Sequence, residues 1–124
     1  MSFQAVTPFI NYGDIQAATS WLTEKLGFGD VRFYREEDGS IGYADIYAGA
    51  TRMLLTAAEP EPGNGQGSLF IVHVDDVDAL YESVKANGVE ADPPRDTDYG
   101  PRTFGVTDPW GYSWYFWQGD TLPE

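Results

Sequence analysis

The chain of 124 residues contains no cysteine. That excludes disulfides, a thiolate nucleophile and any sulfur-bound metal site. It suits a reducing compartment, and a cytoplasmic location is the expectation. Basic residues are scarce: 7 Lys and Arg stand against 20 Asp and Glu, a formal charge of −13. Such a chain repels nucleic acid and anionic membrane surfaces and attracts cationic small molecules. No apolar run approaches the length that crosses a bilayer. The opening MSFQAVTPF lacks the basic and apolar regions of a secretion signal. The length fits one domain, residues 1–124, with a core that needs no covalent staples.

What is present is organised in two similar halves. FINYGDIQAATSWLTEKLGF, from Phe9, and LFIVHVDDVDALYESVKANGV, from Leu69, each read as a short apolar strand, an Asp, and a helix ending at Gly. Asp14 and Asp76 are N-cap residues whose carboxylates accept the orphan backbone N–H groups of a helix start. Ile15, Ala18, Leu22 and Leu26 fall on one helical face, as do Val77, Leu80, Tyr81 and Val84. Gly27 and Gly88 supply the left-handed residue that ends each helix.

Three strand-like segments follow the first helix, at Val31–Arg35, Tyr43–Tyr47 and Arg52–Thr56. Three more follow the second: VEADPP, RTFGVTD and SWYFWQ, the first limited by Pro93 and Pro94 to an edge or a short piece. The pattern is βαβββ twice, an α+β fold. Module one runs to about residue 58, a Gly- and Pro-rich connector covers 59–68, and module two covers 69–118.

Two βαβββ modules, the VDDVDALYESVKANGV stretch and the closing YGPRTFGVTDPWGYSWYFW together resemble the vicinal oxygen chelate superfamily. That group holds glyoxalase I, the bleomycin-resistance proteins and the extradiol dioxygenases. The resemblance spans about Val6 to Trp117 and implies a half-open, curled mixed sheet with the helices outside and a ligand or metal on its concave face. It also implies a homodimer. It does not fix function, because the superfamily includes enzymes and metal-free binding proteins.

In its metal enzymes the first ligand of each module precedes the helix-capping Asp by seven residues, which maps to Thr7 and Leu69. The last-strand ligand follows the DPxG turn by four residues, which maps to Tyr115. The remaining ligand lies within TRMLLT, residues 51–56, which holds no His, Glu, Gln or Asp. Thr, Leu and Tyr are poor replacements for imidazole or carboxylate. The expectation is a metal-independent member with no cofactor.

Strand alternation then assigns the cavity face. Thr7, Phe9 and Asn11 fall on it in the first strand, Leu69, Ile71 and His73 in the first strand of module two, and Ser113, Tyr115 and Trp117 in the last. Ile10, Tyr12, Trp114 and Phe116 fall on the helix-covered side. Two roles are open for His73: a general base or ligand partner, and a structural residue beside Asp75 and Asp76. Asn11 either orients a ligand or closes a strand. Tyr99 and Arg102 either border the cavity or belong to the Tyr99-Gly100-Pro101 turn. Trp110 sits at the tip of the Asp108–Gly111 turn, where an indole needs a partner or a lid role. Ser113 lacks the surroundings of a nucleophile elbow.

The expected function is sequestration of a small cationic or aromatic compound, as in antibiotic resistance, on a wall of Phe9, Asn11, His73, Arg102, Trp110, Tyr115 and Trp117. The alternatives are a glyoxalase-like enzyme, metal-dependent or with His73 as base, and an interaction module whose dimer interface covers the aromatics.

Overall fold

The computed structural model describes residues 2–59 and 68–119. Most of the expected connector and the last five residues therefore lie outside the described residues. The chain divides into two compact units, Met1–Pro60 and Glu61–Glu124.

Unit one contains β1 (Phe9–Asn11), α1 (Ile15–Trp21), β2 (Gly29–Arg35), β3 (Ile41–Ala48) and β4 (Thr51–Thr56). Its sheet order is β1-β4-β3-β2, with β1 parallel to β4 and the other pairs antiparallel. Unit two repeats the plan with β5 (Leu69–Val74), α2 (Val77–Ala86), β6 (Arg95–Asp96), β7 (Arg102–Thr107) and β8 (Ser113–Gln118). Its order is β5-β8-β7-β6, again with only the first pair parallel. The βαβββ pattern read from the sequence is thus present in both units.

The helices begin where the sequence places their caps. Asp14 accepts from the Ala17 N–H at 3.0 Å and Asp76 from the Ala79 N–H at 3.1 Å. Ile15, Ala18, Leu22 and Leu26 are buried on one side of the first helix, and Gly27 ends it at φ +83°. One difference is local: after Trp21 the helix widens into a π-helical stretch, Leu22–Leu26. The Thr23 hydroxyl donates to the carbonyls of Thr19, at 2.8 Å, and Ser20.

The segment VEADPP forms no strand, and β6 begins only at Arg95. Pro93 and Pro94 lack the N–H groups a ladder requires, so pairing with β7 starts immediately after them. The result is a two-residue edge strand, the short piece expected, but placed after the prolines rather than within VEADPP.

The core of unit two is aromatic. Phe70 stacks on Trp114 with centroids 4.6 Å apart, Phe104 on Phe116 at 5.0 Å, and Tyr81 of α2 meets Phe104 edge-on at 5.6 Å. The turn between β7 and β8 is held from inside by Asp108, which is 3% exposed. Its Oδ1 accepts the N–H groups of Trp110 and Tyr112, each at 3.0 Å. Its Oδ2 accepts Nε1–H of the fully buried Trp114 at 3.0 Å. Among the described residues every buried side-chain nitrogen or oxygen has a hydrogen-bond partner. Among them, too, no helix is long and apolar enough to cross a membrane.

Removing the Asp108 carboxylate strands several buried donors at once. Asp108→Ala is expected to lower unfolding stability by about 3 kcal/mol, read from the urea midpoint at constant slope.

Candidate functional site

Residues directly opposite in a sheet share a face, so the register of unit two defines its open side. Leu69, Ile71 and His73 of β5 lie beside Ser113, Tyr115 and Trp117 of β8. These in turn lie beside Thr107, Gly105 and Thr103 of β7, and Thr103 lies beside Arg95 of β6. The other side carries Phe70, Trp114, Phe116, Phe104 and Val106. The burial pattern follows this alternation: Trp114 and Phe116 are buried, whereas Leu69, Ile71 and Tyr115 are 53, 41 and 39% exposed.

Aromatic rings gather at one end of this open face. Trp117 meets His73 edge-on at 6.0 Å and Tyr99 at 6.0 Å, tilted by 50°. His73 Nδ1 lies 3.0 Å from the Gly119 carbonyl, so a proton on Nδ1 donates to it. The structure thus joins His73, Trp117 and Tyr99, which are scattered in the sequence.

At the middle of the face Tyr115 lies across Gly105. A Cβ on Gly105 would sit 2.7 Å from Tyr115 Cε1 and 2.9 Å from Cδ1. The missing side chain is what lets the ring lie down on β7. Beside the ring opens a cavity of about 310 Å³ lined by Asp92, Arg95, Gly105, Thr107, Ser113 and Tyr115, among others.

Arg102 is not on this face. It alternates with Thr103 and points toward α2, where Nε and one terminal nitrogen bind the two oxygens of Asp78, each at 2.9 Å. Its other terminal nitrogen reaches Asp96 at 3.2 Å. The Asp78 hydrogen bonds, followed by that of Asp96, hold the guanidinium even more firmly protonated than usual, and Asp78 is held below the ordinary carboxylate range by the Arg102 hydrogen bonds. The residue expected at the cavity border fastens helix to sheet instead. Trp110 occupies the turn as expected, but half-buried rather than fully displayed.

In unit one, Phe9 is 66% exposed and shares the open face with Asn11, whose side-chain oxygen accepts the Thr56 hydroxyl at 2.5 Å. Ile10 and Tyr12 are buried on the opposite side, as parity requires. The same face holds a charged group that sequence pattern does not mark. Asp45, 5% exposed, accepts Arg52 Nε at 2.7 Å on one oxygen and the Tyr34 hydroxyl at 2.6 Å on the other. The Arg32 guanidinium lies 5.4 Å from the centre of the Tyr34 ring. Burial pushes the Asp45 carboxyl upward, but the Tyr34 and Arg52 hydrogen bonds and the arginine charges outweigh it and hold it below its usual value. The phenol of Tyr34 is raised, chiefly by its bond to Asp45. Strand alternation places Asp45 and Arg52 on one face, but only the β3–β4 register brings them together. A second hollow of about 470 Å³, lined by Asp14, Arg35, Ser40 and Glu59 among others, has no aromatic wall.

The positions that the superfamily resemblance implies for a metal carry poor donors. Leu69 offers no donor, Thr7 precedes β1, and Tyr115 rests on Gly105. Among the described residues no three His, Asp or Glu side chains come together in a group able to hold an ion. These residues do not fit the metal of the superfamily's enzymes.

Asp45 ties stability to acidity. Because its folded value is depressed, its contribution is complete above the unfolded carboxylate value near ~4. That contribution is lost as pH falls through the folded value. In Asp45→Asn, thermal melts are expected to show a shallower loss of Tm below about pH 4 than in the parent chain.

The sequence matches the model of the Glyoxalase/Bleomycin resistance protein/Dioxygenase superfamily over residues 4–116, and the chain belongs to that superfamily. No curated protein matches it by sequence. Among solved structures it is similar to TioX from Micromonospora sp. ML1, with 26% identity and a TM-score of 0.77, covering 94% of this chain and 100% of that one. It is similar also to TnmS3, an antibiotic binding protein from Streptomyces sp. CB03234, with 25% identity and a TM-score of 0.75 over 97 and 99% of the two chains. The bleomycin-binding protein of Streptomyces verticillus, solved with copper(II)-bleomycin, shares the fold at 24% identity and a TM-score of 0.74, over 97 and 99%.

Proposed function

We propose that this member of the glyoxalase/bleomycin resistance/dioxygenase superfamily is a metal-independent binding protein that sequesters a planar aromatic compound. The observation that carries the reading is the open face of unit two: Tyr115 laid over Gly105, with Trp117, Tyr99 and His73 beside it. Exposed rings held in place by a sheet present a ready stacking surface, and little side-chain freedom is lost when a flat ligand covers them. The unsuitable residues at the expected metal positions support binding over Lewis-acid chemistry. Antibiotic binding by TnmS3, a relative of similar length, points the same way.

Charge adds a preference. A chain at −13 draws cations from a distance and raises their encounter rate, an effect that salt weakens. A cationic ring also gains from the faces of Tyr and Trp. On the open face of unit one, Phe9 and Asn11 offer a ring and an amide as ligand contacts.

The test is isothermal calorimetry at low salt with a panel of cationic planar aromatics. Binding in the micromolar range or tighter is expected for at least one of them. Tyr115→Ala and Trp117→Ala should each weaken it by about 10-fold or more, the loss expected when a ring leaves a desolvated contact. A panel with no binder tighter than millimolar would sink the reading.

The superfamily resemblance also implies a homodimer, and the reading includes one. Light scattering should return twice the 13.7 kDa chain mass; a monomer at micromolar concentration removes that part.

A further inference from the structure

Arg95 occupies an unusual position in so acidic a chain. It lies opposite Thr103 on β7, which places it on the face of Tyr115, and it lines the cavity beside that ring. The next residue, Asp96, alternates to the other face and is already bonded to Arg102. Among the described residues Arg95 makes no ion pair. The cavity wall adds the hydroxyls of Thr107 and Ser113, while that of Thr103 is committed to the Phe116 carbonyl at 2.8 Å. Its floor is backbone at Gly105, and one wall is the Tyr115 ring.

We infer that this cavity selects aromatic compounds bearing a neutral acceptor oxygen, a ring carbonyl of the quinone or aryl-ketone class, with Arg95 as the selecting residue. The inference rests on the aromatic-binding reading above and adds the ligand's functional group to it. A guanidinium has only donors, so the group it favours is an acceptor. A ring lying against Tyr115 carries its edge substituents in the plane, toward Arg95 at one end of the cavity and the two hydroxyls at the other. Asp92 lines the same cavity. Its carboxylate, together with the charge of −13, weighs against a ligand anion and leaves the uncharged carbonyl as the fitting acceptor.

Two probes separate the pieces: 2-(aminomethyl)anthraquinone and 2-(aminomethyl)anthracene. They share the plane and the cation and differ in the two ring oxygens. Calorimetry at about 0.15 M salt, where distant charges are screened beyond ~8 Å, reads the local preference. The quinone is expected to bind the parent chain about 10-fold tighter than the hydrocarbon, the scale of one hydrogen bond from a charged donor. Arg95→Ala should remove that difference, lowering quinone affinity about 10-fold and hydrocarbon affinity less than about 2-fold. Arg95→Lys, which keeps a donor, should restore part of it. Arg95 is exposed on a two-residue edge strand, and an unchanged melting temperature checks that the variant is folded.

Equal affinity of the two probes for the parent chain overturns the inference alone, as does a quinone preference that survives in Arg95→Ala. Absence of binding by both probes overturns it as well, and the aromatic-binding reading falls with it only if the whole cationic panel also fails to bind.

Discussion

The open face of unit two depends on a carboxylate that lies beneath the sheet. Asp108 binds two backbone N–H groups of its own turn and the indole N–H of Trp114, so it joins the turn to the first buried side chain of β8. A strand that slips by one residue exchanges its two faces. With Trp114 tied inward, Phe116 must follow it into the core, and Tyr115 and Trp117 must stand on the open side. The aromatic run from Trp110 to Trp117 therefore divides between two tasks, and Asp108 fixes the division.

The two units use the same strand order for different chemistry. In unit one the open face is centred on an ion pair, Asp45 with Arg52, completed by the Tyr34 hydroxyl. A carboxylate this buried is tolerated because both of its oxygens are bonded and one partner is charged. In unit two the ion pairs lie on the other side of the sheet, where Arg102 binds Asp78 and Asp96 near α2. That leaves the open side of β7 and β8 to rings, hydroxyls and a bare glycine.

Much of this architecture was legible in the sequence because its signals are local. The Asp caps, the terminal glycines and the apolar helical faces each sit within a few residues, and both helices start where those signals place them. Parity along β1 and β8 separates the exposed Phe9 and Tyr115 from the buried Ile10 and Trp114. Features that depend on register were not legible. Arg102 belongs to a segment that the superfamily resemblance sets at the cavity border, yet pairing puts its side chain on the opposite side. Asp45 and Arg52 look like ordinary charges until β3 and β4 are aligned. The widening at Leu22–Leu26 carries no motif. The short β6 was half visible: two prolines announce a limit but not on which side of them pairing begins.

The pairing of Gly105 with Tyr115 has a consequence for how such a face diversifies. The position that shapes the site most directly has no side chain, and only its backbone reaches the cavity floor. Any L-residue placed there acts on the neighbouring strand, by lifting a ring rather than by meeting the guest. Variation among relatives at a position of this kind can retune what the face accepts while every aromatic residue stays in the sequence.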